Sequence, residues 1–358
     1  MGFHPIDLLP VALLAVFVYK SKPLTKGKGF DNDYLSISAG RSLRGVFAIV
    51  VVFHHLAQKM DAGALFDLFS KFGFLAVSVF MFLSGFGLQK SHMKSESYRN
   101  KFLLRRIPQV LFPYIIVNAL FWLMYALDGK IYSVKDIALT FAKGDPLVSY
   151  SWYIVNILIF YVVYWLLMLL FKKRYLLMII GAVVFYIVYA AFCFKMRFNS
   201  YWYSSSHLFI LGMVWAVYED KILGIIKKRY IFISAASLVL FLALFIIKSY
   251  HPKMVTGKVL PLAITMTASA LFMLLVILYS LRVKFGNRIL EFLGNCSLEI
   301  YLVQGLFIVG LRGNRVFIEN ELIWAVMTVI GSIVLGFILH VLFAKLLRGY
   351  RRLLKLDK

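Results

Sequence analysis

The feature that most constrains this chain is a series of apolar runs, each close to the length that a helix needs to cross a bilayer. A span takes about 20 mainly apolar residues, because a helix rises 1.5 Å per residue and the hydrocarbon core is about 30 Å thick. The chain is 62% hydrophobic and only 16% charged, whereas soluble domains carry about 25% charge. Eleven apolar segments are predicted, at residues 6–19, 43–57, 72–88, 107–127, 152–171, 175–194, 207–219, 230–248, 259–281, 298–311 and 322–347.

These segments predict an all-α polytopic transmembrane helix bundle of about ten core spans plus one extra N-terminal helix. No stretch between them is long enough for a second folded domain. The predicted organisation is a transmembrane helix with a basic linker at 1–28, a membrane domain at 29–347 and a basic cytoplasmic tail at 348–358. A signal peptide is the alternative for segment 6–19, but neither a basic region before it nor a small-residue cleavage site after it is present.

The distribution of basic residues predicts the orientation, since cytoplasmic loops of membrane proteins are enriched in Lys and Arg. When the tail is placed in the cytoplasm and the spans alternate, most of the 40 Lys and Arg residues fall on the cytoplasmic side. The N-terminus is then outside. The same bias explains the net charge of +24 without a nucleic-acid partner, and the tail is expected to contact anionic lipid head groups.

One apolar segment carries polar residues in a regular arrangement, in the stretch RGVFAIVVVFHHLAQ at 44–58. His55 follows Arg44 by eleven residues, which is about 16.5 Å and three turns of helix with only about 20° of residual rotation. His54 points about 80° away, so it either orients its neighbour or faces another helix. A cytoplasmic cation and a mid-membrane imidazole on one stripe predict a long ligand with an anionic end, such as a coenzyme A thioester.

Histidine suits proton abstraction, because its ordinary pKa lies near neutrality and a neutral imidazole accepts a hydroxyl proton. Ionisable residues inside membranes are costly and mark functional sites. His55 is therefore predicted to be the general base of an acyl transfer, with an acyl-His55 intermediate as the two-step alternative. The two cysteines, Cys193 and Cys296, have no metal-ligand spacing, and no metal is predicted.

Further segments follow Arg44 and His55 in an order that resembles the membrane-bound acyltransferase family three. The family has an Arg or Lys, ten residues and then His, which matches Arg44 and His55. The other matching segments are VFMFLSGFGL (79–88), RRIPQVLFPY (105–114), SWYIVNILIFY (151–161), HLFILGMVWA (207–216) and LGNCSLEIYLVQ (293–304). The resemblance covers residues 41–347, and we expect the stand-alone type, without an appended SGNH-type esterase domain.

The resemblance implies an enzyme of the bacterial cytoplasmic membrane that moves an acyl group, usually acetyl, from cytoplasmic acetyl-CoA to a hydroxyl of a cell-envelope glycan or lipid-linked acceptor. It implies that donor phosphates meet Arg41, Arg44, Arg105 and Arg106, and that His54 and Glu299 assist His55. Glu299 is expected either to pair with a donor-site Arg or to orient a histidine. The expected substrate contacts are Ser84, Trp152, Tyr301 and Gln304.

Two positions depart from the family pattern. The family commonly has Arg-x-x-Arg before its Pro-Tyr, but Gln109 stands at the second arginine, and Arg105 is the nearest substitute. Gln304 stands where the family often has His. A glutamine amide donates and accepts hydrogen bonds but cannot act as a general base, so proton transfer at this position is excluded.

The alternative function is a transporter or flippase of a lipid-linked or acidic solute, with Arg44 and His55 lining its path. Many transporters are built from internal repeats, and no convincing repeat relates the two halves of this chain. Acyl transfer is therefore the favoured prediction.

Overall fold

A computed structural model describes residues 4–24, 29–60, 63–142, 147–148, 150–251, 257 and 259–356. Its helices are α1 (Leu8–Val18), α2 (Ile37–Ala57), α3 (Ala64–Asp67), α4 (Gly73–Lys94), α5 (Phe102–Leu127), α6 (Val134–Ala142), α7 (Trp152–Phe171), α8 (Tyr175–Lys195), α9 (Tyr201–Ser204), α10 (His207–Lys228), α11 (Tyr230–Tyr250), α12 (Val259–Arg282), α13 (Arg288–Asn295), α14 (Ser297–Gly310) and α15 (Glu321–Leu353). Short 3₁₀ turns span Pro5–Asp7, Leu68–Lys71 and Glu96–Arg99, and the two-residue strands β1 (Lys22–Pro23) and β2 (Val283–Lys284) pair antiparallel.

All eleven predicted apolar segments are helical, which confirms the all-α polytopic bundle. Among the described residues, eight helices are long and apolar enough to cross a membrane, or nine if the bent pair α13–α14 forms one span. The N-terminal apolar helix is shorter than a span. α10 is long enough, but its backbone breaks at Tyr218 and charged residues follow. The count by length and composition is therefore lower than the eleven segments.

The helices that carry most of the polar candidates lie at the centre of the bundle. The most apolar window of α4 is 78% buried and that of α2 is 67% buried, whereas that of α11 is only 17% buried. Ser36 is the N-cap of α2, and its hydroxyl accepts a hydrogen bond from the Ala39 amide, which satisfies one free amide of the first turn. Burial by protein, rather than contact with lipid, allows α2 to hold polar groups at membrane depth.

Glycines bring α4 and α10 into direct backbone contact. A Cβ atom on Gly85 would overlap the Phe209 carbonyl, and one on Gly212 would overlap the Phe82 carbonyl. Small residues allow membrane helices to approach closely and gain packing contacts. This contact fixes α4, and with it one wall of the polar cavities described below.

We expect Gly212→Ala to destabilise the protein, because the added methyl forces apart two packed backbones, at a cost typical of overpacking, about 1–3 kcal/mol. Gly224→Ala is the matched control in the same helix, because nothing lies within 4 Å of its Cβ position. The melting temperatures of the two variants in detergent measure the difference. Equal melting temperatures for both variants would contradict the close α4–α10 contact.

Both ends of the described chain pack onto the bundle. Asp7, which is 1% exposed, accepts a hydrogen bond from the Phe66 amide at 2.8 Å. At the other end, Lys101 Nζ donates to the Lys355 carbonyl at 2.8 Å and the Arg105 guanidinium donates to the Leu356 carbonyl. Residues 25–28 of the predicted basic linker and 357–358 of the tail lie outside the described residues, and the predicted domain boundaries stay a prediction.

Candidate active site

A cavity of about 530 Å³ surrounds the C-terminal end of α2, and we call it the histidine cavity. Both predicted histidines line it, and so do side chains or backbone from the segment before α7 and from α14. The residues used below are His54, His55, Lys59, Tyr150, Trp152 and Tyr301. The structure therefore brings four of the predicted site residues to one cavity, namely His54, His55, Trp152 and Tyr301.

Two more cavities lie around the N-terminal half of α2, near Arg44. The arginine cavity, about 560 Å³, is lined by Arg44, Ser84, Lys90, Lys94, Arg106 and Glu219, among others. The junction cavity, about 200 Å³, shares Arg44, Ser84 and Arg106 with it. Tyr301 lines both the junction cavity and the histidine cavity. The three spaces thus follow one another from the Arg44 end of α2 to the His55 end.

The His55 ring is buried and has two neighbours that fix its chemistry. Its Nδ1 lies 3.4 Å from Gln58 Oε1, one turn further along α2. The Tyr150 ring stacks on it with centroids 3.8 Å apart and planes 18° apart. When Nδ1 carries the proton and donates to Gln58, the lone pair of Nε2 is free to accept a proton from a bound hydroxyl.

His54 also lines the histidine cavity, but its ring is held by the segment before α4. Its Nδ1 lies 2.9 Å from the Phe69 carbonyl, so Nδ1 must be the protonated nitrogen of this contact. A Cβ on Gly73 would overlap the ring, so α4 begins directly against it. The His54 and His55 ring centroids are 4.8 Å apart. The sequence left two alternatives for His54, orienting His55 or facing another helix. The structure places its ring against the segment before α4 and also next to the His55 ring.

The arginine cavity collects cations with little compensation. No acidic residue in the described part of the chain forms an ion pair with Arg44, although its side chain is partly buried between two cavities. Arg106 Nε donates to the Tyr98 hydroxyl at 3.1 Å. The Glu219 carboxylate also lines this cavity but is bound by Lys90 and by the Tyr34 hydroxyl. An arginine without an anionic partner in such a position suits an anionic ligand.

Two of the predicted donor-site cations lie elsewhere. Arg105 is turned toward the C-terminal segment, where it binds the Leu356 carbonyl, so it does not replace the missing second arginine of the family pattern. The Arg41 side chain is exposed and lines neither the arginine cavity nor the junction cavity. Helix phase explains the placement of Arg105, since it points about 100° away from its neighbour Arg106.

Glu299 is buried and pairs with a histidine, but not with either histidine of α2. Its Oε1 lies 3.2 Å from His340 Nδ1 in α15, and its Oε2 has no hydrogen-bond partner among the described residues. The expectation that Glu299 orients a histidine agrees with this pair, whereas pairing with a donor-site Arg does not.

We expect Glu299→Gln to lower the melting temperature, because it removes the charge of a buried carboxylate that contacts the half-buried His340. Since Glu299 lines none of the three cavities, the Michaelis constant for the acyl donor should not change. Donor kinetics of the purified variant measure this. If the variant bound the acyl donor more weakly while keeping wild-type thermal stability, Glu299 would belong to the substrate site.

The predicted substrate contacts divide into two groups. Ser84 lines the arginine and junction cavities, Trp152 lines the histidine cavity, and Tyr301 lies between them. Gln304 is fully buried and its Nε2 donates to the Tyr301 carbonyl at 3.0 Å, so it supports the helix rather than lining these cavities. The described residues contain no group of three or more His, Cys, Asp and Glu side chains that could hold a metal ion.

Two neighbours of His55 were not predicted from the sequence. Gln58 follows His55 by three residues, and side chains at this spacing are neighbours on a helix, so helical spacing could have identified it. Tyr150 lies 95 positions away in a loop, and no pattern in the sequence pairs it with His55. Burial raises the pKa of the Tyr150 phenol to about 12, so it stays protonated at neutral pH.

Comparison with known proteins identifies the family of this chain. The acyltransferase 3 family model, described as an acyltransferase domain, matches residues 41–341. No curated protein and no solved structure matches the chain. The matched region begins before Arg44 and ends just after His340, so it contains every lining residue of the histidine and junction cavities, whereas residues 32–37 and 40 of the arginine cavity precede it. It covers well over half of the 358 residues. The chain therefore belongs to membrane acyltransferase family 3 and is an integral-membrane acyltransferase.

Proposed function

We propose that this protein transfers an acetyl group from cytoplasmic acetyl-CoA to a hydroxyl of a cell-envelope glycan or lipid-linked acceptor. The observation that carries the proposal is the succession of cavities along α2, which leads from Arg44, with no acidic partner among the described residues, through the junction cavity to His55. In the proposed orientation the N-terminus is outside the bacterial cytoplasmic membrane and the C-terminus is cytoplasmic, because most basic residues then lie inside. The arginine cavity accordingly opens toward the cytoplasmic donor.

The donor-side cavities suit the chemistry of an acyl-CoA. Phosphates pair well with guanidinium groups, and Arg44 and Arg106 line the arginine cavity together with Lys90 and Lys94. The junction cavity adds apolar side chains, namely Phe80, Val110, Ile157 and Leu298. A polar mouth followed by a narrow, mixed lining is compatible with phosphates at the mouth and a flexible pantetheine arm beyond it.

The histidine cavity suits a sugar hydroxyl. Aromatic side chains provide much of its lining, including Tyr125, Trp152 and Tyr201, and Ser205 and Lys59 add polar groups. Binding pockets typically combine apolar and aromatic walls with a few polar groups that set orientation. The apolar face of a pyranose ring matches such a wall, while its hydroxyl groups reach the polar positions.

The reaction follows from the free Nε2 of His55. Nε2 takes the proton of the acceptor hydroxyl while its oxygen attacks the thioester carbonyl. The carbon–sulfur bond then breaks, and the leaving thiolate receives the proton from the imidazolium. In the two-step alternative, Nε2 itself accepts the acetyl group and passes it to the hydroxyl, with the same residue at the centre.

The test uses the purified protein in proteoliposomes, with acetyl-labelled acetyl-CoA and a delipidated or whole envelope extract as acceptor. We expect base-labile label in glycan or lipid-linked glycan, and one acetyl mass difference in mass spectra of envelopes from cells with and without the protein. Solute movement across the vesicle without consumption of any acyl-CoA would instead support the transporter alternative and contradict the proposal.

A further inference from the structure

The ring that covers His55 comes from a residue with an unusual backbone. Tyr150 precedes α7 and has φ of 70°, a left-handed conformation that is uncommon for residues with a large side chain. Such a conformation is strained and persists only where surrounding contacts hold it. The contacts that hold the Tyr150 backbone in this conformation also place its aromatic ring against His55, the predicted base.

Contacts from two other helices hold this segment in place. The Tyr301 hydroxyl of α14 donates a hydrogen bond to the Tyr150 carbonyl. The next residue, Ser151, is buried and its hydroxyl lies 3.1 Å from the Tyr114 hydroxyl of α5. Tyr301 is itself 5% exposed and packs against Tyr153, with ring centroids 5.6 Å apart. The Tyr150 backbone is thus tied to a rigid part of the bundle.

The His55 ring needs such a restraint. The second side-chain torsion of histidine has a broad energy profile, so the ring turns easily unless it is packed. The contact between His55 Nδ1 and Gln58 Oε1 is 3.4 Å long, and Gln58 is exposed. This long contact with an exposed side chain restrains the plane of the ring only weakly, whereas a stacked ring at 3.8 Å restricts tilting of the imidazole.

We propose that Tyr150 is a positioning residue for His55, and that Tyr301 holds Tyr150 in the strained conformation that this role requires. The stacked ring holds the plane of the imidazole, and the contact with Gln58 then selects the orientation in which Nδ1 faces Gln58 and Nε2 faces the cavity. The role rests on the proposed function only in taking His55 as the base. In this proposal Tyr301, which also lines the junction cavity, supports His55 indirectly through its hydrogen bond to Tyr150.

The test compares Tyr150→Ala, Tyr150→Leu and Tyr150→Phe, with Tyr250→Ala as the matched control because Tyr250 is exposed at the end of α11. We expect the alanine and leucine variants to lose between about ten- and a hundred-fold in kcat, the size of effect that misplacing a reacting group produces. Their KM for acetyl-CoA should be unchanged, because Arg44 and Arg106 are not disturbed. Tyr150→Phe keeps the ring and should retain the wild-type kcat.

A second readout does not depend on activity. Diethyl pyrocarbonate modifies accessible imidazoles, and peptide mass spectrometry locates the modified residue. We expect His55 to be modified faster in Tyr150→Ala and, to a smaller extent, in Tyr301→Phe. In Tyr150→Phe and Tyr250→Ala it should be modified at the wild-type rate. Wild-type kcat and wild-type modification in Tyr150→Ala would overturn the proposal, as would a Tyr150→Phe variant as defective as Tyr150→Ala. Faster modification together with a fully active His55→Ala variant would support the stacking role and contradict the proposed base instead.

Discussion

Replacing His55 by glutamine is expected to reduce acetyl transfer by roughly 10²- to 10⁴-fold, the usual contribution of a positioned general base. Glutamine fills similar space and forms hydrogen bonds, but it cannot take the acceptor proton. The reduction should appear in kcat, with the KM for acetyl-CoA little changed, because the donor phosphates are proposed to bind at the other end of α2. Steady-state transfer of labelled acetyl from acetyl-CoA measures both constants.

Two comparisons separate this effect from a general loss of structure. His92 is a buried histidine of α4 whose Nε2 lies 2.9 Å from the Lys172 carbonyl, and it lines none of the three cavities. His92→Gln should therefore change stability more than kcat. His54→Gln should have a smaller effect on kcat than His55→Gln, since the His54 ring is engaged with the Phe69 carbonyl. Wild-type kcat in a folded His55→Gln variant would eliminate the proposed mechanism.

Replacing Arg44 by glutamine is expected to raise the KM for acetyl-CoA by roughly 10- to 100-fold, the loss that follows when a hydrogen bond to a charged group is removed. Arg44 borders both the arginine cavity and the junction cavity without an acidic partner among the described residues. Arg44→Lys should lie between wild type and Arg44→Gln, because lysine keeps the charge but lacks the planar, bidentate fork. Titration of acetyl-CoA in the transfer assay provides the measurement.

Arg41→Gln is the matched control, three residues earlier in the same helix and exposed. It should bind the donor as the wild type does, and increased salt should weaken donor binding in the wild type more than in Arg44→Gln. An equal rise in KM for both variants would show that α2 contributes only a general positive potential. If the KM for acetyl-CoA were unchanged in both variants, the donor site would not include Arg44.

Much of the site was predictable because it depends on one helix. The period of 3.6 residues places Arg44 and His55 on one face whatever surrounds them, and the apolar run between them predicts an unbroken helix. The structure has that helix, Ile37–Ala57, and cavities at both ends of the stripe. Local periodicity also predicted that all eleven apolar segments are helical, because a backbone in a membrane must satisfy its own hydrogen bonds.

What remained unpredictable depends on contacts between distant segments. Tyr150 meets His55, Glu299 meets His340, and Arg105 meets the carbonyl of Leu356. Each pair joins residues tens to hundreds of positions apart, and many partners would satisfy the same side chain equally well. Which partner is present depends on how the helices pack and where they bend, as at the 73° break between α13 and α14.

The sequence by itself determined the membrane bundle, the family and the stripe that joins a cation to an imidazole, because these follow from apolar length, motif order and helical phase. Only the tertiary structure decided that the spaces along this stripe follow one another, that Tyr301 lies between the junction and histidine cavities, and that the Tyr150 ring covers His55. The physical reason is that a cavity is bounded by several helices at once, so it exists only after they have packed.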